Sequence, residues 1–156
     1  MISFFVQGIP APQGSKRFVG IHQGKGRMIE SSKKVKPWRE AVYWAAIEAK
    51  QKSAMVEPMD GPLRAVMIFG LPRPATVKRR CCADRKPDLD KLVRSTCDAL
   101  VNAGIIVDDS RIVSCLSGKT YPNISFVLPS GRIFLDVPGA FIQIKSEGVH
   151  DDPDAI

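Results

Sequence analysis

The sequence predicts an α/β (α+β) fold, a single domain in which two main helices pack against a mixed β-sheet. Its 156 residues suit one domain with one sizeable core. The hydrophobic fraction of 44% and the charged fraction of 25% are ordinary for a globular protein. Apolar segments follow the order strand, helix, strand, helix and then two or more strands, which is typical of helices layered on a sheet.

The N-terminal third of the chain predicts a strand, a long basic loop and a helix. Residues 2–10 (ISFFVQGIP) are rich in aromatic and β-branched side chains and end at Gly and Pro, as strands do. Residues 10–35 show little periodicity and predict a basic loop, functional or disordered, with a candidate hairpin around residues 21–29. Residues 36–51 predict a helix with Pro37 in its first turn, where the missing N–H is tolerated.

This first helix has an apolar stripe at helical spacing, formed by Trp38, Val42, Ala45 and Ala49. The stripe predicts the face that packs on the sheet. We interpret Trp38 and Trp44 as core or helix-packing residues rather than platforms for base stacking.

The middle of the chain predicts a central strand, a cationic loop and a second helix. Residues 61–72 (GPLRAVMIFGLP) are almost continuously apolar, which is typical of a strand buried on both faces. Residues 73–87 form a Pro-bounded basic loop. The second helix is expected from Asp88 to about Ala103, with Gly104 as its C-terminal cap. Its predicted buried face comprises Leu89, Leu92, Val93, Thr96, Ala99 and Leu100.

The C-terminal part predicts strands on either side of a turn-rich connection. Residues 111–121 and 139–146 have strand patterns, and residues 122–138 form the connection or a hairpin. Residues 147–156 are acidic, and we expect them to be a disordered tail after a domain of residues 1–146.

The formal net charge of +7 indicates a polyanionic partner once its distribution is considered. The tail contributes Glu147, Asp151, Asp152 and Asp154, so the body carries +7 + 4 = +11. Nucleic acid is the first candidate partner for a body this basic. The alternative is a protein that is simply cationic and has no polyanionic partner. No apolar run reaches the roughly 20 residues that span a membrane. The N-terminus lacks the basic start of a signal peptide, so we expect a cytoplasmic protein.

The four cysteines do not have the spacing of a metal site. Cys81, Cys82, Cys97 and Cys115 form no CxxC or Cys/His pattern, which argues against structural zinc. We interpret them as free thiols of a reducing compartment.

Four aspartates surround the second helix, with Asp88 and Asp90 at its start and Asp108 and Asp109 after its end. Mg²⁺ takes one or two carboxylates completed by water and phosphate, so the set is a candidate magnesium site. A helix of about 15 residues is about 22 Å long. The four residues from Gly104 to Asp108 cannot cover that distance at about 3.3–3.6 Å each. The pairs therefore meet only if the helix is shorter, if helix and strand cross at an angle, or if a two-fold partner completes the site.

Each aspartate also has a purely structural interpretation. Asp88 is a suitable helix cap, and Asp108 and Asp109 are common turn residues. Asp90 and Asp98 flank Arg94 at spacings of four residues, which fits a salt-bridge ladder on the helix surface.

Residues 86–113 (KPDLDKLVRSTCDALVNAGIIVDDSRIV) resemble the signature of the RusA family of Holliday-junction resolvases. The shared features are, in order, Asp-x-Asp opening a helix, a basic residue one turn later, Asp-Ala-Leu, a Gly turn, and Asp-Asp before a strand. Residues 8–17 (GIPAPQGSKR) and 118–121 (GKTY) resemble the family more loosely. The resemblance implies a RusA-like fold and a homodimeric, magnesium-dependent endonuclease, bacterial or phage-encoded, with Mn²⁺ as an alternative cofactor. Such an enzyme cuts four-way DNA junctions by paired nicks in recombination and repair.

The resemblance also implies roles for individual acidic residues. Asp88 and Asp90 fall on the Asp-x-Asp pair, and Asp109 falls on the later aspartate taken as a metal ligand. Asp108 is its neighbour and a weaker candidate ligand. The expected metal set is therefore Asp88, Asp90, Asp109 and Asp108.

Two basic positions depart from the family pattern. Arg94 stands where an essential lysine is usual, and Lys91 stands where asparagine is usual. Arginine is always charged and does not transfer a proton, so Arg94 can substitute only if the family lysine acts as a charge. If that lysine acts as an acid, either Lys91 or Lys119 takes its place or the activity is lost.

Other basic residues are candidate contacts to DNA phosphates, which position DNA without reading its sequence. They are Lys16, Arg17, Lys78, Arg79, Arg80, Arg85, Lys86, Lys91 and Lys119. The favoured hypothesis is a junction resolvase. The alternatives are a broader nuclease of branched DNA and a junction-binding protein without catalysis.

Overall fold

The computed structural model describes residues 1–14, 33–78 and 82–148, together with the backbone of residues 16–22 and 25–30. Two helices and a mixed sheet lie within these residues, which confirms the predicted α+β class. The elements in chain order are β1 (Ile2–Gln7), β2 (Lys16–His22), β3 (Lys25–Glu30), α1 (Val35–Lys52), β4 (Leu63–Gly70), α2 (Leu89–Asn102), a one-turn 3-10 helix (Asp109–Arg111), β5 (Ile112–Thr120), β6 (Phe126–Leu128), β7 (Gly131–Ile133) and β8 (Gly139–Ser146).

The main sheet has the strand order β1-β8-β4-β5. Strand β8 runs antiparallel to both β1 and β4, whereas β4 and β5 are parallel. Parallel neighbours need a crossover connection, and α2 lies in the segment that links β4 to β5. The predicted central strand is therefore confirmed, and the crossover carries α2 to the sheet beside β5.

The two helices pack together against the central strand. Trp38 of α1 is 1% exposed, and its ring lies edge-on to Phe69 of β4 with the centroids 6.4 Å apart. Its indole N–H donates to the Thr96 hydroxyl of α2 at 3.2 Å. This hydrogen bond satisfies the one polar group of the ring. Trp38 is therefore buried between α1, α2 and β4 without leaving an unpaired donor.

Helix α1 is turned slightly from the face that its sequence predicts. Its fully buried residues are Val35, Trp38, Val42 and Ala46, whereas Ala45 and Ala49 of the predicted stripe are half-buried. Trp44 is 67% exposed, and its ring meets Tyr43 edge-on at 5.1 Å. The interpretation of Trp44 as a core residue is wrong, because it lies on the solvent side of the helix.

The end of α2 follows its predicted signal. Gly104 has a φ of +64°, which favours glycine, and its N–H donates to the Val101 carbonyl at 2.9 Å. The next N–H, from Ile105, donates to the Leu100 carbonyl at 3.0 Å. These two hydrogen bonds form a Schellman cap, which ends the helix and turns the chain toward β5.

The remaining predicted segments differ in detail from the structure. The hairpin expected within residues 10–35 is confirmed as the pairing of β2 with β3, and it begins earlier, at Lys16. A second hairpin, β6–β7, lies in the turn-rich connection. Glu147, assigned to the disordered tail, is instead half-buried, donates its N–H to the Pro62 carbonyl at 2.8 Å and pairs with Arg64. The rest of the predicted tail from residue 149 lies outside the described residues.

No membrane-spanning segment was expected from the sequence. Among the described residues, no helix has both the length and the apolar character needed to cross a membrane.

Candidate active site

The segment that enters α2 is held in place by a lysine from the neighbouring strand. Lys119 of β5 donates from Nζ to the carbonyls of Arg85 and Pro87, at 2.8 and 2.9 Å. The Lys86–Pro87 peptide between them is cis. Lys119, proposed from the sequence as a phosphate contact or a substitute acid, therefore positions the residues that precede Asp88.

Asp88 is the N-cap residue of α2. Its backbone is extended (φ −69°, ψ 137°), and its carbonyl accepts from the Leu92 N–H at 3.2 Å. Its side chain makes no capping hydrogen bond, so the first turn of the helix is held by backbone hydrogen bonds only. The carboxylate instead pairs with Lys91 one turn later, at 2.8 Å.

This ion pair changes the titration of both partners. The hydrogen bond and charge of Lys91 lower the pKa of Asp88, and the charges of Lys86 and Lys119 lower it further. In return, Asp88 raises the pKa of Lys91. Asp88 is therefore ionised and Lys91 protonated at neutral pH, and Lys91 is a poor proton donor while the pair persists.

A cavity of about 400 Å³ lies between α2 and β5, and we call it the aspartate cavity. Asp90, Arg94 and Cys97 stand at i, i+4 and i+7 on α2, so they share one helix face. The opposite wall comes from the 3-10 helix and β5. The lining residues are Asp90, Val93, Arg94, Cys97, Asp109, Ile112, Cys115 and Ser117.

The two carboxylates of the aspartate cavity have no charged partner among the described residues. Asp90 and Asp109 are exposed, and neither makes an ion pair or a side-chain hydrogen bond within the described part of the chain. Asp98, the third member of the ladder considered from the sequence, pairs with Arg39 of α1 instead of Arg94. Arg94 likewise makes no ion pair with any described residue.

The two thiols of the aspartate cavity are neutral. Burial raises the pKa of Cys97 to about 12, with further contributions from Cys115 and from the charge of Asp109. Burial also raises the pKa of Cys115. Since metal-binding cysteines act as thiolates, the donors in this cavity are carboxylate oxygens, which suit a hard cation.

Asp108 has a different role from its neighbour. Its carboxylate accepts a hydrogen bond from the Ser110 N–H at 2.9 Å and caps the 3-10 helix. Hydrogen bonds from Ser110, followed by the charge of Arg111, lower the pKa of Asp108. The turn interpretation of Asp108 is therefore realised in the structure, and Asp108 does not border the aspartate cavity.

The predicted return of the chain to the start of α2 is only partly achieved. Strand β5 runs back along α2 and brings Asp109 into the cavity that Asp90 borders, near enough to Cys97 for the charge of Asp109 to act on that thiol. Asp88 borders a different cavity. Across residues 1–14, 33–78 and 82–148, no three His, Cys, Asp or Glu side chains are close enough to hold a metal ion.

The second cavity, of about 570 Å³, lies on the Asp88 side of the helix start, and we call it the basic cavity. Three separate segments and Lys34 converge on it. The lining residues are Ile9, Pro10, Ala11, Pro12, Gln13, Gly14, Lys34, Leu71, Pro72, Lys86, Pro87, Asp88 and Lys91. Sequence reasoning missed Lys34, although its place at the end of the first basic segment was a usable signal.

The predicted DNA contacts fall into three groups. Lys86 and Lys91 border the basic cavity, and Lys78 and Arg85 are exposed on the loop before α2. Lys119 holds that loop from β5. Lys16 and Arg17 lie in β2, whose side chains are outside the description, and so are Arg79 and Arg80.

The sequence of this chain matches the model of a known nuclease family. A family model described as Endodeoxyribonuclease RusA matches residues 8–126 of the 156-residue chain. The matched segment contains every residue that lines the two cavities. A search of curated proteins gave no match.

Proposed function

Because this chain belongs to the RusA family of endodeoxyribonucleases, we propose that it resolves four-way DNA junctions by metal-dependent hydrolysis at the aspartate cavity. The observation that supports this proposal is the shared cavity of Asp90, Arg94 and Asp109. Two carboxylates and one cation, none of them paired with another described residue, border the same cavity. A nuclease needs both charges there, one for a metal and the other for the phosphate.

The donors of the aspartate cavity fit a divalent cation. Mg²⁺ needs one or two carboxylates and keeps several waters, and Asp90 and Asp109 provide two that no described residue neutralises. Asp88 also binds the cation if its ion pair with Lys91 breaks. A bound Mg²⁺, or Mn²⁺ in its place, supplies an activated water and stabilises charge on the scissile phosphate.

Arg94 stabilises the negative charge that develops on the phosphate. It is the one cation among the described residues that borders the aspartate cavity. The two lysines considered as replacement acids are engaged elsewhere, Lys91 with Asp88 and Lys119 with the carbonyls before α2. The basic group at this site therefore acts as a charge, a role for which arginine is sufficient.

The basic surface around the site holds the DNA. Lys78, Arg85 and Lys86 are exposed on the segment that leads into α2. They contact backbone phosphates on either side of the cleaved bond. A homodimer completes the assembly, because a four-way junction has two-fold symmetry and paired nicks need two sites.

The experiment is cleavage of a synthetic four-way junction, labelled on each strand in turn, with Mg²⁺ or with EDTA. Linear duplex, a replication fork and a flap of the same sequence serve as competing substrates. The proposal predicts paired nicks at symmetric positions in the junction alone, and only with the metal. Equal cleavage of forks and flaps indicates a broader nuclease of branched DNA. Tight junction binding with no nicks indicates a binding protein and contradicts the proposal.

A further inference from the structure

The basic cavity differs from the aspartate cavity in having one apolar wall and one charged wall. The apolar wall comes from Ile9, Pro12, Leu71 and Pro72. Ile9 is 59% exposed, so it presents apolar surface to solvent. The volume of about 570 Å³ falls within the range of small-ligand sites and is large enough for one nucleotide.

The charged wall suits a phosphate. Lys34, Lys86 and Lys91 face the cavity, and Asp88 neutralises only Lys91 among them. Lys34 and Lys86 make no ion pair within the described residues. The cavity therefore carries a net positive charge next to an apolar surface, which is the combination that binds a nucleotide by its phosphate and base.

Gln13, which lines the basic cavity, carries a buried amide oxygen. Gln13 is fixed in place because its N–H donates to the Lys91 carbonyl at 3.0 Å. Its side-chain Oε1 is buried and has no hydrogen-bond partner among the described residues. An unpaired buried acceptor is unfavourable, so the amide gains a hydrogen bond if it turns to a donor on a bound base.

The position of the basic cavity relates it to the site of cleavage. Asp88 borders the basic cavity and Asp90 borders the aspartate cavity, so the two cavities flank the start of α2. A helix is about 10–12 Å wide with its side chains. A DNA strand whose phosphate lies in the aspartate cavity thus passes the basic cavity within a few nucleotides.

From these observations we propose that the basic cavity binds one unstacked nucleotide of the junction, close to the scissile phosphate. This inference rests on the proposed function. Lys34 and Lys86 hold the phosphate, the face of the base lies against Ile9 and Pro12, and Gln13 accepts from its edge. Enzymes that take bases out of a stack bind them between apolar side chains and by hydrogen bonds to their edges. The branch point of a junction supplies such a nucleotide because its base pairs lack one stacking neighbour.

The test uses the full chain carrying Asp90→Asn, without metal, and junctions with 2-aminopurine at successive positions around the branch point. The fluorescence of this base rises when it leaves the stack, and no aromatic residue lines the described cavity to quench it. The protein is used at saturating concentration, so that differences in affinity do not change the fluorescence. We expect a several-fold rise at one position on each of two symmetric strands.

Two variants in the same background locate the nucleotide. Ile9→Glu places a charge on the apolar wall, and Lys34→Glu reverses a charge on the other wall. Both side chains are exposed, so the fold tolerates the changes, and thermal unfolding checks this. Lys36→Glu is the matched control, because Lys36 is an exposed lysine two residues away that does not line the basic cavity.

The expected result is that Ile9→Glu and Lys34→Glu abolish the fluorescence rise while Lys36→Glu retains it. A bound junction with no rise at any position overturns the inference and leaves the proposed function intact. A rise that survives both cavity variants overturns it too, because the nucleotide then unstacks elsewhere. A chain that does not bind junctions contradicts the proposed function itself and, with it, this inference.

Discussion

Asp88 and Asp90 are two residues apart at the start of α2, yet their side chains border different cavities. Asp90 borders the aspartate cavity and has no ion-pair partner among the described residues, whereas Asp88 pairs with Lys91 and borders the basic cavity. Residues two apart at a helix start point in different directions, so sequence adjacency alone does not make them a joint site. One carboxylate is therefore ready to bind a ligand, whereas the other must first give up its ion pair with Lys91.

Substitution of Asp90 should reduce activity most. Asp90→Asn keeps the shape of the side chain and removes its charge, so junction cleavage should fall at least about 10³-fold while junction binding persists. Single-turnover cleavage and a gel-shift assay measure the two quantities. Asp98→Asn is the matched control on the same helix, because Asp98 pairs with Arg39 outside the cavity. A fully active Asp90→Asn protein contradicts the proposed mechanism.

The next effect concerns the cation of the aspartate cavity. Arg94→Ala removes the charge that faces the phosphate and should slow single-turnover cleavage by roughly 10²-fold. Arg94→Lys keeps the charge and should retain most of the rate. If Arg94→Lys is instead much faster than the parent, the family lysine acts as an acid, and our assignment of Arg94 as a charge is wrong.

A smaller effect should come from the ion pair between Lys91 and Asp88. Lys91→Met frees Asp88 from its ion pair, so the Mg²⁺ concentration for half-maximal cleavage should fall a few-fold. The titration is repeated with Lys36→Met, which removes a distant exposed charge. An unchanged Mg²⁺ requirement in Lys91→Met shows that Lys91 does not compete with the metal for Asp88.

The smallest effect is on the titration of Asp88 itself. Lys91 lowers the pKa of Asp88 below its ordinary 3.8, so the ion pair is complete above that value and is lost as the pH falls through the lowered pKa. Carboxyl chemical shifts followed by NMR should show this low value in the parent. In Lys91→Met the pKa should rise most of the way to 3.8, because Lys86 and Lys119 still lower it. Identical titrations in the two proteins contradict the ion pair.

Much of the fold could be predicted from local signals. The bounds of β8 and the Gly104 cap of α2 appear in the sequence as a bounded apolar run and a glycine after the last helical residue. The buried face of α1 was harder, because several alanines fit a helical stripe equally well. The contact of Trp38 with Thr96 of α2 selects Ala46 instead of Ala45, and it leaves Trp44 in solvent.

The site could be predicted only in part, for a physical reason. A motif gives the order of Asp90, Arg94 and Asp109, and their common cavity follows from one helix face and the strand beside it. The basic cavity depends on segments far apart in the sequence, from Gln13 to Lys91, whose meeting is a tertiary event. No local pattern reports such a meeting.

Metal-dependent cleavage at the aspartate cavity requires Asp90 and Asp109 to bind one divalent cation together. The decisive measurement is Mn²⁺ binding to the full chain with an uncleavable junction, followed by electron paramagnetic resonance. Asp90→Asn, Asp109→Asn and the double variant should lose the same bound ion to the same extent, since groups that act on one ligand are not additive. Asp98→Asn should bind Mn²⁺ like the parent. Parent-like binding in either single variant of the pair, or losses that add in the double variant, would contradict a shared site.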